Sequence, residues 1–147
     1  MNRVDFYILP ENSIRDRFAC TMASKAWKNG NIVYIHTTNK EAAVLLDDLL
    51  WTYNDISFLP HALYDEHNHE NIPILIGWNE QSPDDNCQIM INLTEEIPAT
   101  ADKFPRIIEI VAGNKLDRQY ARKRYRDYRA SGFELHDHML EDNHDSI

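Results

Sequence analysis

Five short runs of strand-forming residues, each apolar over most of its length, constrain this chain more than any other feature. They are RVDFYIL at Arg3–Leu9, NIVYI at Asn31–Ile35, IPILI at Ile72–Ile76, CQIMINL at Cys87–Leu93 and RIIEIV at Arg106–Val111. A strand with one face in water alternates apolar and polar residues, whereas a strand that is apolar throughout is covered on both faces. Helices supply that cover, and helical periodicity stands between the runs. Ile14, Phe18, Met22 and Ala26 recur every four residues, with Trp27 beside them, Asn12 or Ser13 as cap and Gly30 as stop. Thr38 or Asn39 caps a second helix, whose stripe is Ala42, Ala43, Leu45, Leu46, Leu49 and Leu50, with Trp51 at its end. Pro98–Phe104 reads as a helical turn. Asn114 caps a last helix that reaches about Ala130, with Gly132 just past its end.

Strands alternating with helices predict a Rossmann-like α/β fold, a three-layer α/β/α sandwich with a mainly parallel sheet. The length of 147 residues suits one domain. The domain is expected over residues 1–133. Residues 134–147 hold Glu134, Asp137, Glu141, Asp142 and Asp145 with three histidines and no Lys or Arg, and are expected to form an acidic, partly disordered tail. No apolar run approaches the roughly 18–20 residues of a membrane span, and nothing resembles a signal peptide, so a cytoplasmic protein is expected. Cys20 and Cys87 are isolated thiols of the kind buried in a reducing compartment.

The fold invites nucleotide binding, and glycine argues against it. A phosphate cradle needs backbone that approaches closely and takes positive φ. The four glycines are Gly30, Gly77, Gly113 and Gly132, and Pro10-Glu11-Asn12-Ser13 follows the first strand where a glycine-rich turn would stand. No nucleotide or other cofactor is therefore expected. Nor is a metal: His61, His67 and His69 in one loop, and His136, His138 and His144 in the tail, lie among acids without a helical HExxH or other ligand ladder. No nucleophile–base constellation can be assembled by spacing, so the chain reads as a binding module, not an enzyme.

Charge is distributed unevenly. The net charge is −9, yet residues 115–129 carry seven Lys or Arg against Asp117 and Asp127. The chain is an acidic body with one basic helix. Arg118, Arg122 and Arg126 follow i, i+4, i+8 and form a row, with Tyr125 on the neighbouring face, while Leu116, Tyr120 and Tyr128 supply a partial stripe for docking on the sheet. Guanidiniums beside an aromatic ring suit a partner with carboxylates and an apolar anchor. They also suit the phosphates of single-stranded nucleic acid. A third possibility is a solvated face whose stems cover apolar surface.

Three stretches resemble one family. VDFYIL is similar to the first strand of the DNA polymerase III chi subunit family. Leu46-Asp47-Asp48-Leu49-Leu50-Trp51 followed by Ser57-Phe58-Leu59-Pro60-His61 resembles its LD..LW to SF.PH segment. Residues 121–133, ARKRYRDYRASGF, resemble its closing helix, R.RY..YR..GF. The resemblance implies a cytosolic, non-catalytic accessory protein of the replicase clamp loader, with a Rossmann-like body that lacks a nucleotide site. It implies two partners: the acidic, Phe-terminated C-terminal tail of single-stranded DNA-binding protein, and the psi subunit, which links to the clamp loader. By position, Arg118, Arg122, Tyr125 and Arg126 match the tail-binding helix, with Val111 lining the Phe pocket. Trp51, Phe58, Pro60 and His61 match the psi-facing segment. A body of net −14 outside the helix repels phosphate, so strong direct DNA binding is not expected. The opposite charges of the acidic tail and the helix raise the hypothesis that the tail folds back on the helix and competes with the partner's tail.

Overall fold

In chain order the elements are β1 (Arg3–Ile8), α1 (Arg15–Lys28), β2 (Val33–Thr37), α2 (Lys40–Thr52), β3 (His61–Leu63), β4 (Ile74–Trp78), β5 (Ile89–Asn92), a 3-10 turn (Ala101–Lys103), β6 (Arg106–Val111), α3 (Lys115–Ala130) and β7 (Glu134–Met139). They come from a computed structural model that describes residues 2–52, 59–64, 72–79, 83 and 86–140. The strands form one seven-stranded sheet in the order β3-β4-β2-β5-β6-β1-β7, and every described pairing is parallel.

The apolar runs occupy the interior of this sheet. All residues of β2 and β5 are buried, and their alternate side chains feed two cores. Val33, Ile35, Ile89, Ile91, Ile108 and Ile110 pack under α1 and α2. Tyr34, Met90, Ile107, Phe6 and Val111 face the opposite layer, where α3 supplies Ala121 and Tyr128. The result is the expected three-layer α/β/α sandwich. Asn39 caps α2, its Oδ1 accepting from the Ala42 N–H at 2.8 Å. The cap expected of Asn12 or Ser13 is absent. The α1 N-cap is Ile14, in extended backbone with no side-chain cap bond, because the Ser13 N–H bonds the Pro10 carbonyl in a turn that ends one residue earlier.

Two strands lie where none was expected. β3 falls in the polar stretch after α2, three residues long and at a sheet edge. β7 falls in the segment expected to be a disordered tail, and pairs with β1 from Arg3↔Glu134 to Ile8↔Met139. Its sequence, ELHDHM, is too polar for a central strand, but an edge strand needs one neighbour only. The sheet therefore runs past residue 133 to Met139, and residues 141–147 lie outside the described part.

The C-terminal ends of β1 and β6 meet closely. A Cβ on Gly113 would collide with the Glu11 Cα, so the loop after β6 rests directly on the backbone of the loop after β1. This backbone contact occupies the place where a glycine-rich phosphate turn would follow β1.

Candidate functional site

The helix α3 is fixed to the sheet by a buried polar network. Asn114 caps it, accepting from the Asp117 N–H at 2.8 Å, and the Asp117 carboxylate accepts from the Ala112 N–H at 2.6 Å. An acid so placed leaves the helix N-terminus unsuited to phosphate. The residues α3 buries are Ala121, Arg124 and Tyr128, while Leu116, expected to dock, is exposed. Arg124, one of the seven basic residues, is 3% exposed. Its Nε donates to the Glu109 carboxylate at 3.0 Å, and its other guanidinium nitrogen donates to the Glu95 carbonyl at 3.0 Å. Tyr128 Oη donates at 2.7 Å and Asn92 at 2.9 Å to the second Glu109 oxygen. Burial raises the Glu109 pKa, against the opposing pull of Arg124, Asn92 and Tyr128. The guanidinium of Arg124 and the donors on the second oxygen favour the ionised carboxylate. The charge of Arg124 is thus spent inside the fold and is not offered to a partner.

Fixing α3 in this way opens a pocket of about 230 Å³ between the helix and the sheet edge. Its floor is Phe6 and Ile8 of β1 with Val111 of β6. The helix wall is Arg118, Ala121, Arg122 and Tyr125, and the outer wall is Asp137 and Met139 of β7. Tyr125 is held against Phe6, ring centroids 5.3 Å apart. The volume is below the roughly 300–1,000 Å³ of sites for drug-sized molecules and suits one or two side chains.

Of the five residues expected to form a tail-binding site, the fold brings Val111, Arg118, Arg122 and Tyr125 into one pocket. Arg126 is exposed on α3 and outside the lining. The Arg118 Nε is buried and has no hydrogen-bond partner among the described residues. A buried N–H without an acceptor costs roughly 1–3 kcal/mol, more when charged, so this atom is poised for an incoming oxygen. An apolar floor beside two guanidiniums matches a ligand that ends in an apolar group and a carboxylate. Phe6, Ile8, Ala121, Asp137 and Met139 were not foreseen. Strand alternation puts Phe6 and Ile8 on one side of the sheet, but nothing in the local sequence marks that side as open.

A second surface lies on the other face of the sheet. Trp51 at the end of α2 is 53% exposed and its ring lies 4.5 Å from that of His61. His61 is itself buried, its Nδ1 2.6 Å from the Leu59 carbonyl and its Nε2 3.3 Å from the Asp47 carboxylate. Pro60 is half-buried, and Phe58 lies outside the described residues. Leu45, expected in the core stripe, is 69% exposed, and Val44 is also exposed. The helix turns Ala43, Leu46 and Leu50 inward instead. Val44, Leu45 and Trp51 are thus large apolar groups left outside on one helix.

The histidines are engaged elsewhere. His136 bonds Glu134, and His138 bonds Asp5. His67, His69 and His144 lie outside the described residues. Both cysteines are buried, and burial pushes the Cys20 thiol up to about 12. No helix among the described residues is long and apolar enough to cross a membrane.

Residues 1–136 match the family model described as DNA polymerase III chi subunit, HolC. The chain is 38% identical over 142 residues to DNA polymerase III subunit chi of Pseudomonas aeruginosa, covering 95% of this chain and 98% of the relative. It is 33% identical over 132 residues to the subunit of that name in Haemophilus influenzae, covering 88% of this chain and 92% of the relative. In Escherichia coli K12 the figures are 29% over 141 residues, 92% and 96%. Among solved structures, T4 UvsW has a TM-score of 0.69 at 8% identity, aligned over 94% of this chain and 41% of that one. S. cerevisiae Dbp5, bound to RNA and ADP BeF3, has a TM-score of 0.62 at 11% identity, over 97% of this chain and 42% of that one. At such identities these two likenesses concern the fold alone.

Proposed function

The chain belongs to the DNA polymerase III chi subunit family, and on that premise we propose that it is a non-catalytic, cytoplasmic adaptor whose α3 pocket receives the acidic C-terminal tail of single-stranded DNA-binding protein. The observation that carries this reading is the pocket's apolar floor beside Arg122 and Arg118, whose buried Nε has no hydrogen-bond partner among the described residues. A terminal Phe ring fills the floor formed by Phe6, Ile8 and Val111. Its free carboxylate accepts from Arg118 and Arg122. The acidic residues upstream run along α3 past Arg126. The acidic body disfavours nucleic acid at the same helix through long-range repulsion.

The exposed Trp51, with Val44 and Leu45, is the surface we assign to the psi subunit and through it to the clamp loader. Trp is among the residues most enriched at interface hot spots, and exposed apolar groups beside it extend the contact surface. Pro60, Phe58 and His61 belong to the same segment, and His61 acts there by buttressing Trp51. α2 and α3 cover opposite faces of the sheet, so both partners fit at once.

The test is a titration with a fluorescent peptide copying the acidic, Phe-terminated tail, beside its C-terminally amidated form and labelled oligo-dT. Micromolar binding of the free-carboxylate peptide, loss on amidation and no binding of oligo-dT are expected. Binding of oligo-dT without the peptide would replace this reading with single-stranded nucleic-acid binding through the same helix.

A further inference from the structure

The outer wall of the pocket is made by a strand that is held mainly from its back. Among the described residues β7 pairs with β1 alone, at the sheet edge. Its start is pinned beneath α3: Phe133, just before the strand, packs edge-on against Tyr128 at 5.1 Å, and Leu135 joins the same core. In its second half Asp137 and Met139 line the pocket. On the opposite face His138 stacks on Tyr7, ring centroids 4.5 Å apart and planes within 15°. Its Nε2 donates to the buried Asp5 carboxylate at 2.9 Å. Asp5 also accepts from Arg106 at 2.8 Å and from Arg3 at 3.0 Å, so one carboxylate ties β6, β1 and β7 together. Leu140 follows, packed on the α1 side.

We propose that His138 is a positioning residue for the pocket: bonded to Asp5 and stacked on Tyr7 behind the sheet, it keeps the end of β7 in register and so holds Asp137 and Met139 as the pocket's outer wall. Asp137, His138 and Met139 lie past the span that the family model matches. The strand alternation explains the coupling. His138 and its neighbours Asp137 and Met139 point to opposite faces, so the same backbone carries the anchor on one side and the wall on the other. An edge strand released at its end frays, because only one ladder holds it. The inference rests on the tail-binding reading of the pocket.

The full chain is compared with His138→Ala, His138→Gln, which keeps an amide donor near the Nε2 position, and His138→Phe, which keeps the ring stack without the donor. Tail-peptide affinity and amide hydrogen exchange are measured for each. If unlatching leaves the walled state about a tenth populated, His138→Ala binds the peptide about tenfold more weakly. Exchange then quickens at residues 136–140 and stays unchanged at 121–128. His138→Gln and His138→Phe fall between Ala and wild type. The inference is overturned if His138→Ala binds like wild type, or if β7 exchange does not quicken. Should His138→Ala fail to fold, parity of both other variants with wild type overturns it equally. Failure of the wild-type chain to bind the peptide at all refutes the tail-binding reading instead, and in that case unchanged β7 exchange in the variants still decides against the latch.

Discussion

Arg124 and Glu109 meet in the interior, Nε to carboxylate at 3.0 Å, with side chains 4% and 0% exposed. The pair joins the middle of α3 to the centre of the sheet, and the pocket beside it depends on where that helix sits. Removing one member of a buried pair strands the other, a loss of about 3–5 kcal/mol. Arg124→Ala is expected to lower the unfolding free energy by that amount, read as a lower urea midpoint, and to abolish peptide binding at the temperature where it unfolds. Joint replacement, Glu109→Leu with Arg124→Met, is expected to recover much of the stability. Equal stability of Arg124→Ala and wild type in urea titration would refute this account of α3 docking.

Arg118 and Arg122 line the pocket, whereas Arg126 stands outside it. Arg118→Ala and Arg122→Ala should each weaken the tail peptide by about 2–3 kcal/mol, as removal of a charge-assisted partner does. Arg126→Ala should cost less than about 1 kcal/mol, as a rim charge does, and its effect should fade with salt. Fluorescence anisotropy at two salt concentrations separates the cases. Indistinguishable small losses from all three would remove the helix from the site.

Trp51 is exposed above a buried His61. Trp51→Ala is expected to weaken psi binding by about 2 kcal/mol or more, the usual scale of an interface anchor, and to leave peptide affinity unchanged. A pull-down with psi beside the peptide titration checks both halves. Loss of both activities together with a lowered melting temperature would place Trp51 in the core.

Burial by itself would raise the Asp5 pKa, but hydrogen bonds from Arg3, His138 and Arg106 outweigh it and lower it from 3.8 to about 2. A carboxyl whose folded pKa is depressed stabilises the fold above its unfolded pKa and loses that contribution as pH falls through the folded one. The contribution is on the order of 2 kcal/mol, present above about pH 4 and lost toward pH 2. Denaturation of wild type and Asp5→Asn across this window should show a steeper loss for wild type. Parallel curves would mean that Asp5 is not ionised against its three donors.

Much of the architecture was legible from residue order. The five apolar runs became β1, β2, β4, β5 and β6, and the helical stripes became α1, α2 and α3. Asn39 and Asn114 cap as their side chains suggest. The Arg118–Arg122 row was visible because a helix repeats every four residues. Periodicity failed where it had to name what lies across from a face. Leu45 fits the apolar stripe of α2, yet the inward arc is narrower than the stripe, and Leu45 stands outside. Arg124 was counted among free charges because its acceptor, Glu109, belongs to another element.

Local order along the chain therefore determined which residues become strand or helix and which helix is basic, since those depend on neighbours within a few positions. Tertiary structure alone decided that ELHDHM is a strand, that Arg124 is spent on Glu109, and that Phe6, Val111, Arg118 and Met139 share one pocket. Those outcomes rest on contacts between distant residues, Asp5 and His138 being 133 positions apart, and a pairing energy across the sheet leaves no trace in the spacing of either partner.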